Sequence, residues 1–373
     1  MKIAVNTRLL LPGRLDGIGW FTFESFRRIC QAHPEHEFHF FSDRKIAKEF
    51  IFAENVIAHA ILPPARRPFL FTLWYDVAVP VMLRKIGADV FVSPDAMASL
   101  TTSLPQLLVM HDLNFEHYPE DMPGMYSRYL RKKSPLFAKK ATRIATVSEF
   151  SKADIITQYN VPPGKIDVIY NGVNEKFQPI GSTEKAAVKM KFTNGADYFV
   201  FVSSIHPRKN LQRLLPAFEI FKERSGSNVK LVVIGQKFWL NEELEQIHAN
   251  MKHKDDVLFI GRLAADELHK VVAASLASAY VSYFEGFGIP IIEAFKCGVP
   301  VITSDVTSMP EVAGDAALLV NPFETGEIAD ALFLLWTDEN LRLSLIEKGL
   351  RRAEKFSWQH TSEQLWKSIE KTL

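Results

Sequence analysis

The sequence is poor in cysteine and has almost no net charge, and both features narrow its possible functions. Its 373 residues include only two cysteines, Cys30 and Cys297, which lie far apart and in no CxxC or Cys/His spacing. A disulfide framework or a cysteine-based zinc site is therefore not expected, and a reducing compartment fits best. Lysine and arginine total 44 against 43 acidic residues, so the chain has no overall attraction to nucleic acid.

Long apolar runs and several catalytic signatures are also missing. No stretch of about 18 or more uncharged apolar residues occurs, so no membrane span is predicted. The opening residues, MKIAVNTRLL, hold too short an apolar run for a signal peptide and fit a first strand. No GxSxG elbow and no histidine or carboxylate cluster with metal-ligand spacing is apparent. We therefore expect a cytoplasmic protein without hydrolase chemistry and without a bound metal.

The pattern that is present is typical of a soluble protein with two parallel α/β domains. Hydrophobic residues make up 47% and charged residues 23%, and the length suggests about two domains. Short apolar runs alternate with helix-length amphipathic segments from end to end. Helices are predicted near 20–31, 69–86 and 127–140. The predicted strands are 2–6, 37–41, 89–92, 107–110 and 143–147 in the first half, and 199–203, 230–234, 257–260, 278–281 and 300–303 in the second.

Turn-forming residues indicate where the domains divide. Residues 171–174, NGVN, are followed by a second turn-forming group at 178–182. We place the first domain at 1–174, the second at 175–355 and a terminal helix at 356–373. Ser148 and Ser357 stand where each can cap the helix that follows it.

The strongest local motif is EGFGIPIIEA at 285–294, directly after the strand predicted at 278–281. Pro290 suits the first turn of a helix, and Gly298 suits its end. Gly286 and Gly288 let the backbone approach a ligand closely, and a helix start favours phosphate oxygens or sugar hydroxyls. The motif therefore predicts a binding loop at the start of a helix.

Two carboxylates flank this helix start. Glu285 lies just before it and Glu293 lies about one turn inside, so both can face one ligand. The alternative is that Glu285 merely caps the helix and that Glu293 is solvated.

Arg208 and Lys209 follow the first strand of the second half and precede a helix. Cations at a helix start oppose its dipole unless an anion lies nearby. A diphosphate would be such an anion, since arginine offers a fork of donors and lysine a point charge. The alternative is a pair of solvated cations on a loop.

The first half offers a glycine-containing turn and a histidine at strand ends. Gly17 and Gly19 follow the first strand as in a phosphate-binding loop, but the GxGxxG fingerprint is incomplete because residue 22 is threonine. A tight turn without a ligand is the alternative. His111 ends the strand at 107–110 and can position or deprotonate an acceptor hydroxyl. The alternative is that Asp112 holds it in a structural role.

A basic segment runs from Met125 to Arg143 with seven cations, three aromatic residues and no acidic residue. Such a helix can rest on anionic lipid headgroups. Residues 66–75, RRPFLFTLWY, add basic and aromatic character nearby. An amphipathic core helix with a solvated basic face explains the segment equally well.

Together these motifs resemble the retaining glycosyltransferases of family 4, which have the GT-B architecture. The resemblance covers nearly the whole chain and is carried by DGIGW, VMHDLNFEHYPE, TVSEFSK, VIYNGVN, EGFGIPIIEA, CGVPVITSD, SMPEVAGDAALLVNP and FSW. It implies two Rossmann-like domains facing across a cleft, with the acceptor in the first and a nucleotide-diphosphate sugar in the second. It also implies that the last helix crosses back onto the first domain, with Trp358 near the crossing.

The resemblance assigns roles to the candidate residues. It implies that Glu285 contacts the donor sugar, that Glu293 binds the ribose, and that Arg208 and Lys209 neutralise the departing diphosphate in place of a metal ion. No cofactor and no metal are implied. The remaining residues would bind or border the sugar, the phosphates or the acceptor: Gly17, Gly19, His111, Gly286, Phe287, Gly288 and Ile289.

One position departs from the family pattern. Many members carry arginine six residues before the motif lysine, where this chain has Ser203, and Arg208 would take over that phosphate contact.

The expected activity is transfer of a mannosyl or glucosyl group from a GDP- or UDP-sugar to a saccharide or lipid-linked saccharide in surface polysaccharide biosynthesis. The base would be chosen near Gly261 and Arg262. The alternatives are a sugar-nucleotide epimerase and a non-catalytic binding protein on the same scaffold.

Overall fold

The computed structural model describes residues 1–236 and 242–373. The chain forms two compact units: Met1–Gly172 together with Ser357–Leu373, and Val173–Phe356. The boundaries expected after residues 174 and 355 lie within two residues of these divisions. Each unit contains one parallel sheet with helices on its faces, which is the predicted α/β class.

The N-terminal unit is built on a sheet of seven parallel strands in the order β3-β2-β1-β4-β5-β6-β7. The strands are β1 Lys2–Asn6, β2 Glu37–Ser42, β3 Val56–Ala60, β4 Val90–Ser93, β5 Gln106–Met110, β6 Arg143–Thr146 and β7 Ile166–Val168. Its helices are α1 Gly17–Ala32, α2 Pro68–Leu73, α3 Val79–Ile86, α4 Asn114–His117, α5 Gly124–Lys140 and α6 Glu149–Tyr159. Apolar side chains on β1, β4 and β5 are fully buried because helices cover both faces of the sheet.

The helix predicted over 69–86 is continuous but changes pitch in its middle. Between α2 and α3 lies a π turn, Trp74–Ala78, in which the N–H of Val79 donates to the carbonyl of Trp74. Pro80 has no N–H for the carbonyl of Asp76, which instead accepts the hydroxyl of Thr101 at 2.6 Å. The wider turn and this hydroxyl accommodate a proline inside the helix.

The C-terminal unit has a sheet of six parallel strands in the order β10-β9-β8-β11-β12-β13. The strands are β8 Tyr198–Val202, β9 Lys230–Ile234, β10 Val257–Gly261, β11 Ala277–Tyr280, β12 Val301–Ser304 and β13 Ala317–Val320. The helices of this unit are α7 Ser182–Thr193, α8 Leu211–Ser225, α9 Glu242–Asn250, α10 Ala265–Ala273, α11 Ile289–Lys296, α12 Met309–Ala313, α13 Thr325–Thr337 and α14 Glu339–Ala353. Along β8, Phe199 and Phe201 join one apolar core, while Tyr198 and Val200 join another. This alternation places one core on each face of the sheet.

The last helix, α15 Trp358–Glu370, belongs to the N-terminal unit and packs on α1. Ser357 caps it as predicted, since its hydroxyl accepts the N–H of His360 at 3.1 Å. A Cβ on Gly172 would lie 2.2 Å from the nitrogen of Trp358. Glycine at 172 therefore allows the departing and returning chain segments to pass closely.

Every predicted strand is present within one residue at either end, and three strands were missed. Those three, β3, β7 and β13, lie at sheet edges, and none of them is fully buried. β3 and β7 each contain a polar residue, and β13 has only four residues, so none of them shows the longer apolar run that marks a central parallel strand. Among the described helices, none has both the length and the apolar character needed to cross a bilayer.

Candidate functional site

The principal candidate site in the C-terminal unit lies where the strand order of the sheet reverses. Strands β8 and β11 are neighbours, and the chain moves outward from them in opposite directions. In such sheets ligands bind beyond the carboxyl ends of the strands at this point. Arg208 and Lys209 follow β8 and Glu285 follows β11, so the sheet brings these candidates together.

A short 3₁₀ turn, Pro207–Lys209, presents Arg208 and Lys209 ahead of α8. Asn210 ends this turn with a φ of 65°, in the left-handed region. Its buried amide Nδ2 donates to the carbonyl of Val281, directly after β11, at 2.9 Å. The turn is therefore fastened to the loop that carries Glu285.

The carboxylate of Glu285 lies between the two cations. One oxygen is 2.9 Å from the guanidinium of Arg208, and the other is 2.5 Å from Nζ of Lys209. Lys209 also donates to the hydroxyl of Tyr280 at 2.8 Å. Glu285 is only 6% exposed, so this cluster is shielded from solvent.

The charges of the cluster fix the ionisation of Glu285. Burial alone would raise the pKa of its carboxyl, but Arg208 and Lys209 outweigh that effect and lower the pKa to about 2. Burial and the charge of Glu285 raise the pKa of Tyr280 well above its usual value. Glu285 therefore supplies part of the negative charge that Arg208 and Lys209 require at the start of a helix. The alternative of two solvated cations is wrong, because Lys209 is buried.

Backbone contacts hold Glu285 in place, and sequence reasoning missed the residues that make them. The hydroxyl of Ser308 donates to the carbonyl of Glu285 at 2.9 Å, and the N–H of Glu285 donates to the hydroxyl of Thr307 at 3.3 Å. Ser308 opens the motif SMPEVAGD, but no spacing rule connects that motif with Glu285. Tyr280 was missed for the same reason, because its role appears only when β11 is placed beside β8.

The helix start predicted at Gly288 is confirmed. Helix α11 begins at Ile289, and Gly288 precedes it with a φ of 96°, which disfavours any side chain. Gly286 and Phe287 are buried beside it. Gly298 ends the helix region with a φ of 66°, as expected. The positive end of the α11 dipole therefore lies just after Glu285, where it favours an anionic ligand.

Glu293 lies on α11 and is half-buried. Its carboxylate forms no hydrogen bond or ion pair with the residues that the structure describes. Burial raises its pKa to about 7. Glu293 is therefore neither fully solvated, as the alternative had it, nor paired with a described residue, and its oxygens can accept hydrogen bonds from hydroxyl groups of a ligand.

In the N-terminal unit, Gly17 and Gly19 lie in the first turn of α1 rather than in the loop before it. The N–H of Gly19 donates to the carboxylate of Asp16 at 2.9 Å. A Cβ on Gly19 would approach the carbonyl oxygen of Leu9 to 3.1 Å, whereas a Cβ on Gly17 would meet nothing within 4 Å. Packing therefore explains glycine at 19 but not at 17.

His111 follows β5, as predicted. Its ring is held by the backbone of Pro94 rather than by Asp112, the partner considered from the sequence. Its Nε2 lies 2.9 Å from the carbonyl oxygen of Pro94, and its ring packs edge-on against Phe21. Burial lowers its pKa, so the neutral imidazole is favoured. A neutral ring held by a backbone carbonyl can present its other nitrogen to a hydroxyl.

A buried polar cluster beside His111 was not anticipated. Arg8 donates to the carboxylate of Asp95 at 2.8 Å, and the hydroxyl of Tyr75 donates to the same carboxylate at 2.7 Å. Arg8 and Asp95 follow β1 and β4, which meet at the switch point of the N-terminal sheet, and Tyr75 comes from the π turn before α3. Asp95 directly follows Pro94, so the cluster supports the backbone that holds His111.

Comparison with known proteins identifies the family. Residues 182–352 match the family model of glycosyl transferases group 1, and residues 22–177 match that of glycosyltransferase family 4. The chain is a glycosyltransferase of this family. The two matches together span most of the glycosyltransferase, and each lies largely within one of its units.

Among curated relatives of this glycosyltransferase, O-antigen chain mannosyltransferase B of Escherichia coli is 26% identical over 94% of both chains. The O-antigen chain mannosyltransferase RfbU of Salmonella typhimurium is 28% identical over 74% of both. In solved structures, Anabaena Alr3699/HepE in complex with UDP and glucose has a TM-score of 0.78 at 18% identity, covering 99% of both chains. WaaG, involved in lipopolysaccharide biosynthesis, has a TM-score of 0.77 at 17% identity, covering 97% of this chain and 98% of WaaG. These likenesses establish the GT-B fold.

Proposed function

We propose that this glycosyltransferase moves a hexosyl group from a nucleotide-diphosphate sugar to a saccharide or lipid-linked saccharide, with retention of anomeric configuration, in surface polysaccharide biosynthesis. One observation carries the proposal: Glu285 lies between Arg208 and Lys209 immediately before the start of α11. This arrangement offers a carboxylate for sugar hydroxyls and two cations for a diphosphate. The names of the O-antigen relatives support the polysaccharide context.

In the proposed reaction, the acceptor oxygen bonds to the anomeric carbon on the face from which the diphosphate departs. The bond between that carbon and the phosphate oxygen breaks, and the acceptor proton passes to the departing phosphate. Arg208 and Lys209 stabilise the charge that develops there, so the reaction requires no metal ion. His111 orients the acceptor hydroxyl, and Glu293 accepts hydrogen bonds from the ribose. The backbone of residues 286–289 and the turn at Gly17 and Gly19 border the sugar and phosphates.

The relatives favour mannose as the transferred sugar, because both O-antigen relatives described above are named mannosyltransferases. A GDP-linked donor is the first candidate. A UDP-linked donor is the second, since the solved neighbour binds UDP and glucose. We assign the choice of base to Gly261 and Arg262, at the end of β10 and the start of the loop that follows it.

The decisive experiment incubates the full chain with GDP-mannose or UDP-glucose and an alkyl α-mannoside, with magnesium and with EDTA. We expect a disaccharide whose new linkage keeps the donor's anomeric configuration by NMR, at the same rate in EDTA. Isomerised donor would indicate an epimerase, and tight binding without any product would indicate a binding protein. Loss of activity in EDTA would overturn metal independence alone.

We also propose peripheral contact with anionic membrane through the N-terminal unit. Phe69, Leu73, Val77 and Val81 recur every four residues along α2 to α3 and are 44–65% exposed. Helix α5 within the basic segment from Met125 to Arg143 packs beside them: Tyr126 donates to the carbonyl of Arg66, and its ring meets Phe71. An apolar row flanked by cations has the chemistry of a lipid-facing surface.

A further inference from the structure

The loop that follows α1 brings two histidines and a glutamate together, although the sequence showed no recognisable metal spacing. His33 and His36 flank Glu35 in the segment HPEH. One oxygen of Glu35 lies 3.5 Å from Nδ1 of His33 and 3.3 Å from Nε2 of His36. The three ligating atoms all lie within 4.8 Å of one another. In the described part of the chain, this is the one group of three or more such residues with that geometry.

The loop is held in place before any ligand arrives. The side-chain amide of Asn55 donates to the carbonyls of Cys30, His33 and His36 at 3.0–3.1 Å. These three bonds fasten the end of α1 and both histidine backbones to one side chain. Fixed backbones of this kind reduce the cost of assembling a site.

The two imidazole rings are also held in orientation by Trp366 of α15. The ring of His33 stacks on Trp366 at 3.7 Å, and that of His36 lies parallel to it at 5.3 Å. Stacking uses the faces of the rings and leaves their nitrogens at the edges. Both edges face the same oxygen of Glu35.

We propose that His33, Glu35 and His36 bind a divalent transition-metal ion of the zinc type. Zinc takes histidine nitrogen and carboxylate oxygen at about 2.0–2.2 Å, which separates tetrahedral ligands by about 3.3–3.6 Å. The two nitrogen-to-oxygen distances already have that length. His33 caps the C-terminal end of α1, and the negative end of the helix dipole favours a cation there. The donor site contains none of these residues.

Calorimetric titration of the full chain with zinc chloride tests the site. We expect one equivalent to bind, and Glu35→Gln and His36→Asn each to weaken binding. The loss should at least equal the roughly ten- to hundredfold seen when only a ligand's supporting partner is removed. Glu35 is exposed, so Glu35→Gln should leave the fold intact. Thermal unfolding without metal checks this.

The matched control is His59→Ala, because His59 and His39 form another close histidine pair, 2.9 Å apart. This variant should bind zinc as tightly as the unmodified chain. Copper(II) should quench the fluorescence of Trp366, and Trp366→Phe should remove that part of the quenching. Absence of a one-equivalent site, or binding that Glu35→Gln and His36→Asn leave unchanged, overturns the proposal. So does binding that only His59→Ala removes.

Discussion

At the scale of single residues, the charges around Glu285 explain why two cations can precede α8. Sequence reasoning recognised that Arg208 and Lys209 needed an anion, because the helix dipole opposes them. It could not find that Glu285, 76 residues after Lys209, supplies one. That pairing depends on the neighbouring positions of β8 and β11, which local patterns do not encode. In the proposed function, a donor diphosphate would join a cluster whose geometry Glu285 already maintains.

Glu285→Gln should abolish most transfer while retaining binding of the nucleoside diphosphate. If Glu285 contacts the donor sugar as proposed, the amide lacks the charge that makes this contact and orders the cations, so we expect kcat to fall by about 10²–10³-fold. Affinity for the diphosphate should be kept or increased, since a carboxylate no longer competes for Arg208 and Lys209. Initial rates and calorimetry measure the two effects separately. Near-normal transfer, or loss of diphosphate binding, would contradict this role.

The dependence of stability on pH provides a second test of Glu285→Gln, because Glu285 can ionise and glutamine cannot. Its folded pKa, about 2, lies below the ordinary value of 4.5. The stability contributed by the ionised cluster is therefore present above pH 4.5 and is lost as the pH falls towards 2. The unmodified chain should be more stable than Glu285→Gln at neutral pH, and the difference should shrink in acid.

Glu293 should show the opposite dependence on pH. Burial raises its pKa from 4.5 to about 7, so the folded protein favours the protonated acid. That contribution to stability is fully present below pH 4.5 and is lost as the pH rises through 7. Glu293→Gln, which cannot ionise, should therefore become more stable than the unmodified chain between pH 5 and pH 8. Thermal unfolding across this range measures the difference.

The donor KM shows whether Glu293 also binds the donor or affects only the stability of the fold. If the carboxylate of Glu293 accepts ribose hydroxyls, the donor KM of the unmodified enzyme should rise as the pH falls below 7. Glu293→Gln should have a higher KM at pH 8, by roughly tenfold, the value of a hydrogen bond to a charged group. Its KM should no longer depend on pH in this range. A variant with unchanged KM would remove Glu293 from the site.

At the scale of elements, strands at the centre of each sheet were predicted well, and most strands at the sheet edges were predicted poorly. Runs such as IAV in β1 and YFVF in β8 are buried on both faces, and this makes a central parallel strand recognisable. The edge strand β3 reads VIAHA, with exposed side chains at Ile57 and Ala58. The π turn before α3 was also missed; the carbonyl of Asp76 within it is satisfied by Thr101, which approaches from another part of the chain.

Two glycines in the first turn of α1, Gly17 and Gly19, allow a role in packing to be distinguished from a role in ligand binding. Gly17→Ala places its Cβ in open space and should keep the free energy of unfolding, whereas Gly19→Ala should lower it by about 1–3 kcal/mol through crowding against Leu9. If this turn borders the donor phosphates, Gly17→Ala should raise the donor KM without a loss of stability. Denaturant unfolding and initial rates measure the two quantities. Unchanged KM in Gly17→Ala would leave the turn without a donor role.

At the scale of the whole molecule, the alternation of strands and helices predicted two parallel units, and motif order predicted the family. The clusters that were missed share one property, since each depends on contacts between separate elements. Arg8 and Asp95 meet only because β1 and β4 are neighbours. The histidines at 33 and 36 are close in sequence, but their alignment requires Asn55 and Trp366. Tertiary placement, rather than residue type, creates these sites.

The surface of the N-terminal unit yields a prediction for the whole enzyme on membranes. Phe69→Ser combined with Leu73→Ser removes two exposed apolar side chains and should leave the fold unchanged. Co-sedimentation with vesicles containing phosphatidylglycerol should fall by roughly tenfold or more in this variant, because less apolar surface enters the lipid. Binding of the unmodified chain should also fall as salt rises and should be weak on neutral phosphatidylcholine.

Met190→Ser with Leu343→Ser, which removes equally exposed side chains from the C-terminal unit, should bind like the unmodified chain. An equal loss of vesicle binding in both double variants would indicate non-specific binding by exposed apolar side chains. No binding by the unmodified chain at low salt would refute the lipid-facing surface.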